Sequence, residues 1–159
     1  MATTLAFGQV LKGRREVYTI TKQLHDCVWL ATYAPCLELH EIETISDDNH
    51  RNQLHQKFVA KSVHHFRLQN ERDILLRFQS RTPYIRPLID ELEDSSASPT
   101  LILKYLDDNV LHASNHKRLT RLEVKYVARK VLEALSVLHD EGFVHTGMLY
   151  SSKLFYYMN

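Results

Sequence analysis

Hydrophobic and polar residues alternate in several short stretches of this chain, and the alternation predicts β-strands. Five stretches carry a strand signal, at residues 17–24, 28–33, 58–63, 86–92 and 100–106. The first two are joined by the short turn His25-Asp26-Cys27, so they should form a hairpin. The last is a continuous apolar run, which is typical of a strand in the middle of a sheet. The pattern predicts a five-stranded antiparallel sheet.

Three further stretches have the spacing of helices, at residues 67–78, 110–119 and 121–140. The third is marked at both ends. Thr120 and Glu123 form a T-x-x-E capping box at its start. Gly142 supplies the left-handed residue that commonly closes a helix. The apolar stripe of this helix is wider than one neighbour needs, so we expect part of it to be exposed.

One charged pair stands out because its members fall in apolar surroundings. Glu71 lies three residues after Leu68 and four before Leu75, so it shares the apolar face of the first helix. An unpaired carboxylate on such a face is costly. Lys61, on the preceding strand, is the simplest candidate for an ion-pair partner of Glu71. The alternative interpretation is that Lys61 is a surface lysine and that Glu71 lies at the edge of the helix, with no ion pair between them.

The composition is that of an ordinary globular domain, with 159 residues, 44% apolar and 25% charged. Twenty basic residues against nineteen acidic ones leave a net charge of +1, which gives no argument for nucleic acid or an anionic membrane. The N-terminus has no secretory signal pattern, and no apolar run is long enough for a membrane span. Two cysteines are too few for a disulfide framework. We therefore expect an intracellular protein, cytoplasmic or nuclear.

Two polar segments lie outside the predicted elements. Residues 1–16 are interpreted as a polar leader that stays solvated. Residues 34–56 form a long insertion between the second and third strands. Cys36 and the histidines of this insertion match none of the zinc spacings, so no metal site is predicted.

Several segments, taken in order, resemble protein kinases. The segments are VWLA, NERD, RTPYIRPLIDE, LKYLDD and LHDEGFVHT. Their sequences are similar to those of kinase-like proteins frequent in filamentous fungi. The resemblance covers about residues 17–152. It implies an α+β protein kinase-like fold. Residues 17–106 would form the N-lobe sheet with one helix, and residues 107–159 the first helices of an incomplete C-lobe.

The resemblance also implies a nucleotide site. Its residues would be Val28, Val59, Lys61, Glu71, Leu103, Lys104 and Leu106. The pair of Lys61 and Glu71 would position the ATP phosphates, and Leu103 would be the gatekeeper. Val59 stands where the family has alanine, which makes the roof over adenine bulkier. The glycine-rich loop that covers the phosphates is missing, because the first hairpin turn contains no glycine.

The catalytic loop implied by the resemblance is degenerate. His145 is kept, but Gly147 falls where the Asp base belongs and Ser152 where the Asn ligand of magnesium belongs. No D-F-G or A-P-E motif follows before residue 159, so the kinase domain is interpreted as truncated. We expect weak ATP binding at most, no magnesium site and no phosphotransfer.

Three hypotheses for function stay open. The first is a truncated kinase-like domain that keeps weak nucleotide binding. The second is a pseudokinase-type interaction module, which would dock a protein partner or a second copy through the exposed apolar helix at residues 121–140. The third is a non-functional fragment of a kinase gene. None of them involves nucleic acid or a membrane.

Overall fold

The computed structural model of this chain describes residues 5–34, 56–63, 66–92 and 99–144. Most of the predicted insertion, residues 35–55, lies outside the described residues. His145, Gly147 and Ser152 of the catalytic-loop interpretation also lie outside them.

Six strands of the described residues form one antiparallel sheet. They are β1 (Val10–Lys12), β2 (Val17–His25), β3 (Val28–Tyr33), β4 (Lys57–Ser62), β5 (Leu88–Glu91) and β6 (Thr100–Lys104). Their order across the sheet is β1-β2-β3-β4-β6-β5. Gly13, at the end of β1, also bridges to Leu92, just past β5, so the sheet curls until its two edges meet at one end.

The inner face of this curled sheet is a continuous apolar core. Its buried members are Leu5, Leu11, Tyr18, Ile20, Trp29, Ala31, Phe58, Ala60 and Ile102. The rings of Tyr18, Tyr33 and Phe58 pack together, with centroids 4.6 to 5.7 Å apart. Successive residues of a strand point to opposite faces, so this alternate set fills one side and leaves the other side of β3, β4 and β6 for a different set.

Part of the N-terminal segment belongs to the sheet. The prediction of a solvated leader is wrong for residues 5–16, because Leu5 and Leu11 are buried and Val10–Lys12 pairs with β2. The sheet accordingly has six strands rather than five. Leu5 and Leu11 are isolated apolar residues in a polar stretch, and their burial depends on core residues that are distant in the sequence, such as Ile102.

Three helices complete the described residues, α1 (Phe66–Phe78), α2 (Val110–His116) and α3 (Arg121–His139). The capping box of α3 is confirmed: the Glu123 N–H donates to Thr120 Oγ1 at 3.3 Å, and the Thr120 N–H donates to Glu123 Oε2 at 2.7 Å. Gly142 has a φ of +78°, as predicted for the residue that closes the helix. Within the described ranges, no helix combines the length and the apolar character that crossing a membrane requires.

The chain divides into two compact units. The first joins Met1–Asn70 with Leu88–Tyr105 and contains the whole sheet. The second joins Glu71–Pro87 with Leu106–Asn159 and contains α2 and α3.

The second unit has its own small core at the end of α3. The rings of Phe78 and Phe143 meet edge to face with centroids 5.4 Å apart, and Ala134 and Leu138 are buried. Leu138 therefore belongs to the covered part of the apolar stripe. On the same helix Leu132 stays 64% exposed, so the exposed part of the apolar stripe lies before this core.

Candidate functional site

The pairing of β3, β4 and β6 brings four predicted site residues to one face of the sheet. Val28 lies opposite Lys61 across the β3–β4 pair, and Val59 lies opposite Leu103 across the β4–β6 pair. Residues directly opposite in an antiparallel pair share a face, and so do alternate residues of one strand. Val28, Val59, Lys61 and Leu103 thus form one surface, which we call the Lys61 face.

The Lys61 face is covered at one end and more open at the other. Val59 and Leu103 are buried, with 4% and 2% of their surface exposed, whereas Val28 and Lys61 are half-buried. A flat apolar ring would need contact with both buried side chains to bind as adenine does in a kinase.

The turn between β2 and β3 is held against the sheet. It consists of Asp26 and Cys27, and the Cys27 carbonyl accepts a hydrogen bond from the Ser62 N–H at 3.0 Å. The Asp26 N–H also contacts Nδ1 of His25 at 3.2 Å. A short turn tied to the neighbouring strand in this way does not extend over a bound phosphate. In addition, the Cβ of each residue would keep its backbone away from an anion that a glycine could approach.

Glu71 has an electrostatic neighbour that the sequence did not point to. Arg86 is 7% exposed, and burial lowers the pKa of its guanidinium to about 10, while the charge of Glu71 acts in the opposite direction. Arg86 therefore stays charged at neutral pH, and Glu71 helps to stabilise that charge. The pairing of Glu71 with Lys61 stays a prediction.

The two remaining nucleotide-site residues are Lys104, the last residue of β6, and Leu106, two residues beyond it. Lys104 lies opposite Phe58 in the sheet, so its side chain belongs to the face opposite the Lys61 face. The resemblance to kinases implies that Lys104 would offer its backbone groups to adenine, and that role stays a prediction. Leu106 is buried and belongs to the second compact unit.

The described residues contain no cluster of three or more histidine, cysteine, aspartate or glutamate side chains placed to hold a metal ion. Among the described residues, the Lys61 face offers a nucleotide the ammonium group of Lys61, a half-buried residue, beside apolar side chains. That set fits a phosphate beside an apolar ring in chemical type.

Comparison with known proteins supports the fold. No family model matches the chain, and no curated protein matches it. A solved structure of vaccinia related kinase 3 superimposes with a TM-score of 0.60 at 21% sequence identity. The match covers 89% of this chain and 44% of that kinase, so the chain spans less than half of its length. The predicted α+β protein kinase-like fold is thereby confirmed.

Proposed function

We propose that this chain is a kinase-like domain that binds a nucleotide weakly and does not transfer its phosphate. The observation that carries the proposal is the strand register, which brings Val28, Val59, Lys61 and Leu103 to one face. An ammonium group next to apolar side chains is the chemistry that a purine with a phosphate tail requires.

We expect the nucleotide to bind weakly because of the features at the two ends of the Lys61 face. Val59 and Leu103 are buried, so adenine must displace whatever covers them. The turn at Asp26 and Cys27 is tied to Ser62 and gives no cover for the phosphates. Each of these features removes interactions that a kinase gains when it binds ATP.

The proposed lack of phosphotransfer rests on the sequence. Phosphoryl transfer needs a positioned phosphate, magnesium ligands and a base for the incoming hydroxyl. In the alignment to the kinase catalytic loop, Gly147 replaces the base and Ser152 replaces a magnesium ligand. Loss of a general base alone typically slows a reaction by about 10²- to 10⁴-fold. Restoring the base through Gly147→Asp should not rescue activity, because the magnesium ligand would still be missing.

Thermal unfolding with and without Mg-ATP tests the binding proposal. A nucleotide at about five times its Kd stabilises a folded protein by about 1 kcal/mol, which is a measurable rise in Tm. Lys61→Ala should abolish the rise, whereas Lys22→Ala, which removes an exposed lysine from β2, should leave it unchanged. Val59→Ala should enlarge the rise, because it restores the smaller side chain expected in the adenine roof.

The results separate the competing explanations. An equal rise in wild type and in Lys61→Ala would contradict the proposed site. No rise in any variant, together with cooperative unfolding, would favour a domain that does not bind nucleotide. Absence of a cooperative transition would favour the third hypothesis, a non-functional gene fragment. Phosphorylation of a generic substrate that disappears in Lys61→Ala would contradict the proposed lack of activity.

A second candidate function is a protein-interaction module, favoured by the surface of α3. Val124 and Leu132 are 51% and 64% exposed. A shallow groove on the same helix is lined by Lys125, Ala128, Arg129, Leu132, Glu133 and Ser136. An apolar strip with charged borders suits the apolar face of a partner helix. This function and nucleotide binding are separable, because Leu132→Lys should weaken partner binding and leave the nucleotide response intact.

A further inference from the structure

The short helix α2 carries two histidines one turn apart. His112 and His116 are both exposed, and their Nε2 atoms are 3.0 Å apart. Their rings meet edge to face, with centroids separated by 4.3 Å. Residues four apart lie above one another on a helix, so the backbone itself holds these two rings together.

A carboxylate orients the first of these rings. Asp108 Oδ1 is 2.8 Å from Nδ1 of His112 and also accepts the Asn109 N–H at 2.7 Å. A carboxylate acceptor at Nδ1 favours the tautomer with the proton on Nδ1, which leaves a lone pair on Nε2 of His112. Asn109 then caps the helix, because its side chain accepts the His112 N–H at 2.9 Å.

The spacing of the two Nε2 atoms matches a shared metal ion. Two metal–nitrogen bonds of about 2.1 Å place their nitrogens about 3.0 Å apart at the right angle of a square-planar or octahedral site, and about 3.4 Å apart at the tetrahedral angle typical of zinc. The hydrogen bond between His112 and His116 uses one proton between two ring nitrogens. When His116 takes its other tautomer, with the proton on Nδ1, both Nε2 atoms carry a lone pair, and a divalent cation would bind both after the exposed rings rotate.

We propose that His112 and His116 form a two-histidine site for a divalent transition metal, with Asp108 as the carboxylate that orients His112. Imidazole ligands suit zinc, copper and nickel, whereas magnesium and calcium prefer oxygen ligands. The site has two protein ligands rather than three or more, so its remaining coordination positions would hold water or a ligand from another molecule. The proposal is independent of nucleotide binding and uses residues of one short helix and its cap.

Metal binding should also stabilise α2. The helix has seven residues and none of them is buried, so it depends little on packing. Helices this short are marginal without added interactions. A metal that links residues 112 and 116 connects two successive turns, so it would favour the helical form of the segment.

The test is a titration of the full chain with zinc chloride, followed by ¹H–¹⁵N correlation of the imidazole groups. The chain has ten histidines, so a reading at each ring is required. We expect the Nε2 signals of His112 and His116 to shift at the lowest zinc concentrations. Magnesium chloride at the same concentrations should shift neither. Selective first shifts at other histidines would overturn the proposal.

Variants make the assignment quantitative. His112→Ala and His116→Ala should each abolish the shared site, and Asp108→Asn should weaken zinc binding by about 10- to 100-fold, as is typical of a carboxylate behind a metal-binding histidine. His139→Ala, which removes an exposed histidine from the end of α3, is the matched control and should leave the site intact. Because α2 buries no residue, the variants should keep the Tm of the metal-free wild type. Unchanged zinc affinity in His112→Ala and His116→Ala would overturn the proposal.

Discussion

The hydroxyl of Tyr18 donates a hydrogen bond to the carboxylate of Asp90 at 3.2 Å, although 72 residues separate them in the chain. The same carboxylate accepts the backbone N–H groups of Arg14, Arg15 and Glu16 at 3.1 to 3.2 Å. Asp90 thus ties the turn after β1 to β5, at the point where the two edges of the sheet meet. Burial and the charge of Asp90 both raise the pKa of the Tyr18 hydroxyl, so it remains a donor throughout the neutral range.

Asp90→Ala should destabilise the sheet strongly. Asp90 is 5% exposed, and removal of its carboxylate leaves several N–H groups and the Tyr18 hydroxyl without their acceptor. Each buried polar group that loses its partner typically costs about 1–3 kcal/mol, and since part of this set can reach water we expect a loss of about 2–4 kcal/mol. Urea unfolding measures it. Asp73→Ala, which removes an exposed carboxylate from α1, is the control and should change stability by less than about 0.5 kcal/mol.

Gly13→Ala should also destabilise the sheet where its two edges meet, because there is no space for a Cβ next to Asp90. A Cβ at this position would collide with Oδ2 of Asp90 and lie 2.9 Å from both the Asp90 Cγ and the Glu16 carbonyl oxygen. The alanine therefore displaces the carboxylate from its donors. We expect the double variant Gly13→Ala/Asp90→Ala to lose less stability than the two single losses added together, because neighbouring changes that act on one network are not additive.

Gly8→Ala is a useful comparison. Gly8 has a φ of +76° and open space around its Cβ position, so alanine there would strain the backbone without touching Asp90. Its cost should add fully to that of Asp90→Ala. If Gly13→Ala were also fully additive with Asp90→Ala, the proposed collision would not be the cause of its effect.

These relationships show where sequence reasoning succeeded and where it stopped. Thr120, Glu123 and Gly142 act within a few residues of one helix, so their roles could be predicted from spacing alone. The pairing of Gly13 with Leu92 depends on the curl of the sheet, which spacing does not encode. The strand at Val10–Lys12 was missed for this reason, since three residues are too few for an alternation signal.

Some residues of the candidate site could be named from the sequence, and others could be found only in the structure. Val28, Val59, Lys61 and Leu103 were chosen by resemblance, and the strand register independently places them on one face. Arg86 was not recognised as a neighbour of Glu71, because its sequence context is that of an ordinary strand start. The histidine pair on α2 was also missed. The i, i+4 spacing is visible in the sequence, but the contact between Asp108 and His112 depends on where the helix begins.

Glu141→Gln should destabilise the second unit at neutral pH and have little effect in acid. Glu141 accepts hydrogen bonds from Arg77 at 2.6 Å and from Arg81 at 2.7 Å. The Arg81 and then the Arg77 hydrogen bonds lower the pKa of Glu141 below its ordinary value of 4.5. A carboxylate with a lowered pKa stabilises the fold above its unfolded pKa and loses this effect as the pH falls through the folded pKa. The Tm difference from wild type should therefore be present at pH 7 and shrink below about pH 4.5.

A cycle with Arg81→Ala separates the ion pair from other effects. If the guanidinium groups of Arg77 and Arg81 lower the pKa of Glu141, then Glu141→Gln should cost less stability in the Arg81→Ala background than in wild type. A Tm difference that stays the same from pH 7 to pH 3 would indicate a loss of packing rather than of charge.

The exposed side of α3 should make the isolated chain self-associate. Val124, Ala128 and Leu132 lie on successive turns of the helix, and we call this line the Leu132 stripe. Contiguous exposed apolar surface of a few hundred Å² marks an interaction or aggregation site. We expect oligomers at micromolar concentration by light scattering, together with increased fluorescence of a hydrophobic dye.

Charge placed on the Leu132 stripe should reverse both signals. The double variant Val124→Lys/Leu132→Lys keeps the buried residues Ala134 and Leu138, so it should fold and be a dye-negative monomer. Leu111→Lys is the matched control, because Leu111 is an exposed leucine on α2 and its loss should leave the oligomers unchanged. A wild-type chain that is already a dye-negative monomer would contradict the prediction. Oligomers that persist in the double variant would locate the contact elsewhere on the chain, so the stripe would lose its role as the docking surface.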